Sequence, residues 1–223
     1  MSRLSVFYRL LAAAAALGLG IGPAQARLVQ SLRLPLGSAE AELGEQMRLY
    51  GQALDVRVFD APVALPEVLR QFSLQQPGLA DLTVLPGQAI LSGMVRGQLL
   101  TVTLESPQAG RTIGSIAALI FPSAGAVSSI APVWMPEGAR LRFDFSLREG
   151  AKRVSQQIWS HRLPLVRLQV ALRQALQRCG WVSGQAVRNG ATWHWVRGAS
   201  ALQLHLLELD EGSGILLLRE DAP

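Results

Sequence analysis

The stretch Arg153–Trp181 (RVSQQIWSHRLPLVRLQVALRQALQRCGW) constrains the fold most. It reads as a strand running into a strongly amphipathic helix. After Pro164, apolar residues at Leu165, Leu168, Leu172, Ala175, Leu176 and Cys179 share one face of a 3.6-residue period. Arg167, Gln169, Arg173, Gln174, Gln177 and Arg178 take the remaining surface. Pro164 suits the first turn, where a missing N–H costs nothing. Gly180 suits the left-handed residue that closes a helix, and Arg178 complements the helix dipole. Such a helix needs a sheet to lie on, and its arginines read as a solvated face rather than a membrane-surface patch.

A fainter copy of the same plan lies upstream. Leu65 to about Gln76 predicts a helix with Pro66 in its first turn, Leu65, Val68, Leu69 and Phe72 inward, and Pro77-Gly78 as the stop. Ahead of it, Met47 and Leu49 alternate before Gly51-Gln52. Leu54, Val56 and Val58 alternate after it, with Asp55 and Arg57 outward, predicting a hairpin. A strand is expected over Leu28–Leu34 and a helical turn over Ser38–Gly44. Strands follow the helix near 82–85, 89–95, 99–105 and 112–120. In the second half Arg140–Leu147 alternates with Leu141, Phe143 and Phe145 inward. It turns at Glu149-Gly150 into Val154–His161 and the helix, and strands follow at 192–197, 202–207 and 214–219. Val95-Arg96-Gly97 recurs as Val196-Arg197-Gly198. The expectation is an α+β chain of two similar halves, each one main helix on a small antiparallel sheet in the order hairpin, helix, three strands, arisen by duplication.

Residues 1–26 read as a cleaved signal peptide. Arg3 and Arg9 open it, Leu10–Gly22 is apolar, and Ala24-Gln25-Ala26 is a small-x-small cleavage site. The domain plan is then a first half over 27–121, a Pro-rich linker over 122–138 and a second half over 139–223. The run is short for a membrane span and nothing later approaches one, so a periplasmic, or alternatively secreted, chain without a transmembrane segment is expected. The formal charge of +5 includes two leader arginines, and the single lysine is Lys152. A mild excess without a clustered basic face and interleaved aromatics argues against nucleic acid as a partner. Cys179 is the only cysteine, so no internal disulfide forms, and its place on the apolar helix face marks it as a small hydrophobe.

The most specific local geometry involves histidines. If Gly198–Ala201 is a four-residue loop, His194 lies directly across from His205 on one face of an antiparallel pair, within reach of a shared ligand. Trp193 and Trp195 then occupy the opposite face, against Leu206 and Leu204. A metal needs at least one more ligand, which neither Glu208 nor Asp210 supplies easily, so His194 and His205 are weak metal candidates. Other signatures are missing. Gly212-Ser213-Gly214 sits in a turn rather than a nucleophile elbow, and the sparse acids show no acid–base spacing. No phosphate, dinucleotide or calcium loop occurs, so neither a cofactor nor a catalytic residue is assigned. Ile130, Val133, Trp134 and Met135 make the linker too apolar for a solvated tether. Trp134 and Met135, with Trp193 and Trp195, are the candidate partner-binding residues.

These features point to a non-catalytic periplasmic accessory or adaptor protein of a cell-envelope assembly such as a secretion or pilus-type machine, with an envelope protein as partner. The alternative is a ligand- or glycan-binding module using the Trp-rich second half, in or beside which all five tryptophans lie. A metal-dependent or other hydrolase around the histidines is third.

Overall fold

The computed structural model describes residues 28–41, 43, 45–120, 131–184 and 192–222. The expected leader and residues 122–130 of the expected linker lie outside the described residues. In chain order the elements are α1 (Leu28–Ser31), β1 (Ala39–Ala41), β2 (Glu45–Leu49), β3 (Gln52–Ala61), α2 (Leu65–Gln75), β4 (Asp81–Leu85), β5 (Gln88–Val95), β6 (Gln98–Gln108) and β7 (Arg111–Ile120). After the undescribed stretch come β8 (Arg140–Glu149), β9 (Lys152–His161), α3 (Leu165–Arg178), β10 (Val182–Ser183), β11 (Thr192–Arg197), β12 (Ser200–Leu209) and β13 (Gly212–Asp221).

Strand dominates. Of the described residues 57% are strand and 17% helix, in thirteen strands and three short helices. This overturns the expected α+β architecture of two helix-on-small-sheet halves: the fold is antiparallel β-sheet first, with helices as partial cover. The reason is geometric. A helix is about 10 Å across and strands lie about 4.8 Å apart, so one helix covers roughly two strands. Strands of ten residues in wider sheets outrun the 11 and 14 residues of α2 and α3. The Val-Arg-Gly repeat also fails to mark equivalent positions. Arg96 and Gly97 form the turn between β5 and β6, whereas Gly198-Ala199 form that between β11 and β12, with Arg197 still paired.

The described residues divide into two compact units, those within 1–43 and 52–126 and those within 44–51 and 127–223. In the first, strands run β4-β5-β6-β7-β3, with β1 also on β3. The strict alternation of β6 puts Leu100, Val102 and Leu104 into the core with Phe59, Val68 and Phe72. Residues 28–31 form a helical turn rather than the expected strand, because Leu28, Val29 and Leu32 all bury on one side of it. Gln71 and Gln75 of α2 fasten the following segment by hydrogen bonds to Arg33. The helical turn expected over Ser38–Gly44 is absent: Ala39–Ala41 is strand β1. The faces of β3 differ from expectation: of the residues expected inward Leu54 is buried but Val56 and Val58 are only half-buried. Phe59 and Ala61 are buried, so Asp55 and Arg57 share the core side and Val56 and Val58 take the other.

In the second unit, strands run β10-β11-β12-β13-β9-β8-β2. Tyr50, left-handed at φ 49°, ties the end of β2 down by donating from its hydroxyl to the Arg142 carbonyl at 2.7 Å. Its amide donates to the Asp144 carbonyl at 2.8 Å. Helix α3 begins after Pro164, which stands at the N-cap rather than inside the first turn. It ends at Gly180, left-handed at φ 78°. Trp181 N–H bonds the Leu176 carbonyl and Gly180 N–H the Gln177 carbonyl, both at 3.0 Å, the double bond of a Schellman end. That geometry turns Trp181 back onto Leu176 in the core of Leu168, Leu172, Leu202, Leu204, Ile215 and Leu217. Among the described residues, no helix is long and apolar enough to cross a membrane.

Candidate functional site

The residues singled out from sequence do not form a site. The β11–β12 loop is the two residues Gly198-Ala199, not four, so the register differs from the expected one. His194 faces Gln203 and His205 faces Thr192. The two imidazoles are therefore diagonal neighbours on one face rather than a directly opposed pair. His205 is already engaged at both ring nitrogens. The Gln203 amide nitrogen, a donor only, reaches Nε2 at 2.7 Å, so Nδ1 carries the proton and donates to Thr192 Oγ1 at 2.9 Å. Among the described residues, no group of three or more His, Cys, Asp or Glu is placed to hold a metal.

His161 is likewise structural. Its Nδ1 accepts from the Leu163 amide at 2.9 Å, which leaves Nε2–H to donate to the Glu137 carbonyl at 2.9 Å. Trp134 and Met135 are buried in the core of the second unit, with Trp159, Trp181 and Trp195. Trp193 is half-buried, 6.4 Å from Trp195 between ring centroids, with the Arg173 guanidinium 5.2 Å over its ring. Trp193 and Trp195 pair with Leu204 and Leu202, two residues along from the expected register. The aromatic cluster is packing material, not an open platform. Cys179 is half-buried at the end of α3 against the same core.

A polar recess in the first unit escaped the sequence reading. A cavity of about 300 Å³ is lined by Val29, Gln30, Glu40, Asp55, Val56 and Arg57. Arg57 is engaged at all three guanidinium nitrogens: Nη2 donates to Glu40 Oε1 at 2.5 Å, Nε to Oε2 at 2.7 Å, and Nη1 to the Leu32 carbonyl at 3.0 Å. This bidentate bond holds the Glu40 carboxyl below its usual range. Asp55 Oδ2 is buried without a hydrogen-bond partner, and burial pushes that carboxyl up. The recess thus presents one uncompensated carboxylate and one neutralised pair, with neither a nucleophile nor a histidine in its lining. Asp55 and Arg57 were missed because β3 looks amphipathic on both readings of its period. Phe59 and Ala61, one step further on the same face, were the available signal.

The first unit also ends in an open strand. β4 pairs with β5 on one side, through Leu85↔Gln88 to Asp81↔Ser92, and with no other strand among the described residues. Every residue of β4 is exposed. Leu82, Val84 and Leu85 are 53%, 70% and 45% exposed. Leu82 faces Leu91 and Val84 faces Ala89, two buried core residues, so their side chains extend the core face past the cover of α2. The two-residue turn Pro86-Gly87 makes Leu85↔Gln88 a hydrogen-bonded pair. By alternation Thr83 and Asp81 also bond to β5, and Leu82 and Val84 point their N–H and C=O groups outward. The strand has one charge, Asp81, and no lysine, internal proline or bulge, the devices that usually blunt an edge. The second unit ends in the shorter β10, where Val182 faces Val196, 65% and 46% exposed. Compared with known proteins, the chain matches no family model, no curated protein and no solved structure.

Proposed function

We propose that this chain is a non-catalytic accessory protein of a bacterial cell-envelope assembly, exported by its leader to the periplasm, and that it works by strand addition at its sheet edges. The open edge β4, with outward backbone groups and exposed Leu82 and Val84, is the observation that supports this reading. Backbone bonds along such an edge supply affinity for an extended segment, and the alternate side chains supply selectivity. The core placement of Trp134, Trp159, Trp181 and Trp195 removes the support for a glycan platform. The engaged nitrogens of His205 do the same for a histidine-centred hydrolase.

The test is site-specific photocrosslinking in the native host, with the crosslinker placed at Thr83 in β4 and at Val196 of β11 beside β10, and at Leu74 on α2 as a control. An adaptor gives discrete crosslinks to envelope-machine proteins from an edge position and not from Leu74. If neither edge position captures any other envelope protein, the adaptor reading is wrong.

A further inference from the structure

We infer that the occupant of β4 is β4 of a second copy of this chain, so that two chains join edge to edge in an antiparallel pair. This rests on the reading of β4 as a docking edge and adds which strand it takes. The support is the symmetry of the edge itself. The two outward-bonding residues, Leu82 and Val84, flank Thr83 equally. An antiparallel pair centred on Thr83 therefore sets Leu82 against Val84 of the second copy, and Val84 against Leu82, both as hydrogen-bonded pairs. Thr83 meets Thr83 as the close, non-bonded pair at the axis. No outward donor or acceptor of these residues is left over.

The side chains agree with the backbone. Residues paired across antiparallel strands share a face. Leu82 and Val84 of both copies thus form one continuous apolar row on the side where α2 lies, extending the row begun by Leu91 and Ala89. On the opposite face Asp81 falls across from Leu85 of the second copy, so the two Asp81 carboxylates, at opposite ends of the pair, do not face each other. A heterologous strand would need a pattern supplied from elsewhere, whereas this chain already carries the complement. A five-residue edge buries less than the roughly 800 Å² per partner of a stable interface, so the contact is weak and must be read by trapping.

Trapping uses the purified chain with Cys179→Ser, to which Thr83→Cys is added. Non-bonded antiparallel neighbours have α-carbons about 4.5 Å apart, within the span a disulfide bridges. Under mild oxidation the Thr83→Cys chain is expected to form a linked dimer at least tenfold faster than a Leu74→Cys chain, whose residue is 77% exposed on α2. Adding Val84→Pro removes an outward N–H and leaves the β4–β5 ladder intact, so the rate should fall to the Leu74→Cys level with an unchanged melting temperature. Leu82→Lys should do the same by charge. Self-pairing is overturned if Thr83→Cys links no faster than Leu74→Cys, or if neither substitution slows it. It is equally overturned if a crosslinker at Thr83 in cells captures only a different protein, a result that leaves the adaptor reading standing. Rapid linkage of the purified chain with no envelope partner in cells would sink the adaptor reading alone.

Discussion

Gly93 lies so close to Gly78 that a methyl group on its α-carbon would stand 1.8 Å from the Gly78 carbonyl oxygen. The contact is backbone on backbone, so no side chain can swing aside. It clamps the loop after α2 against β5, one turn before the open edge strand begins. Gly93→Ala is expected to cost about 3 kcal/mol or more, through forced backbone displacement. Gly87→Ala, with nothing within 4 Å of its β-carbon but φ at +74°, should cost about 1 kcal/mol from conformation alone. Urea denaturation midpoints of the two variants decide. Equal costs would show that the Gly93–Gly78 approach is not what the position requires.

A second pair of contacts fixes the entry to each long helix. Thr112 Oγ1 donates to the Val63 carbonyl at 2.7 Å, and Ser213 Oγ to the Leu163 carbonyl at 2.8 Å, both hydroxyl residues being fully buried. Each bond holds the turn between a ten-residue strand and its helix. Thr112→Val and Ser213→Ala each remove the donor from a buried carbonyl, at about 1–3 kcal/mol. Denaturation of the single variants should show both losses. A loss below about 0.5 kcal/mol would mean the carbonyl is satisfied by other means.

Zinc should do nothing to this fold. Coordination at His205 would have to break the bonds to Gln203 and Thr192, and His194 offers only a diagonal neighbour, with no third ligand among the described residues. A structural site needs four ligands and a supporting shell. The melting temperature is expected to be the same with zinc and with a chelator, for the wild type and for His194→Ala. A rise with zinc that His194→Ala abolishes would restore the metal reading.

How much of this was legible in the sequence follows from the range of the interaction involved. The two long helices, their stops at Pro77 and Gly180, and the alternation of β6 depend on neighbours a few residues away, and their period shows directly. The single inward face expected for Leu141, Phe143 and Phe145 of β8 is instead broken by a bulge at Arg142, which sets Leu141 against Trp159 and Phe143 against Ile158. The balance of strand to helix was not legible, because sheet width is a count of pairings between distant segments. Neither was register. Gly198-Ala199 closes a two-residue turn, and shortening the loop from four residues moved His194 from His205 to Gln203 and Trp195 from Leu204 to Leu202. The faces of β3 were not legible because Leu54, Val56 and Val58 are as apolar as Phe59 and Ala61, and which of them are buried (Leu54, Phe59 and Ala61, but not Val56 or Val58) depends on tertiary packing. Trp134 and Met135 show the same limit: large apolar residues in a segment without periodicity belong to a core that only tertiary packing reveals. The open edge was legible only as a short apolar strand, since an unpaired side is defined by the absence of a neighbour.

Asp55 makes the acid response of the first unit a contest between opposite signs. Burial raises its carboxyl above the ordinary value, so the native chain holds that proton more tightly than the unfolded one. Its ionised form therefore opposes folding at neutral pH, and the opposition fades as pH falls through the raised value. Glu40 and Asp60 act the other way. Hydrogen bonds from Arg57 and Arg111 lower their carboxyls, so their contribution is present above the ordinary carboxylate range and is lost as pH falls through the lowered values. Asp55→Ala removes the opposing group and its unpartnered oxygen together. The variant is expected to have a higher urea midpoint than the wild type at pH 7, and the gain should shrink as the pH is brought down toward about 4. Denaturation midpoints from pH 7 to pH 4 measure this directly. A variant less stable than the wild type at pH 7 would mean that the Asp55 carboxylate supports the fold in its charged form, and the recess would then have to be read as a compensated ion site.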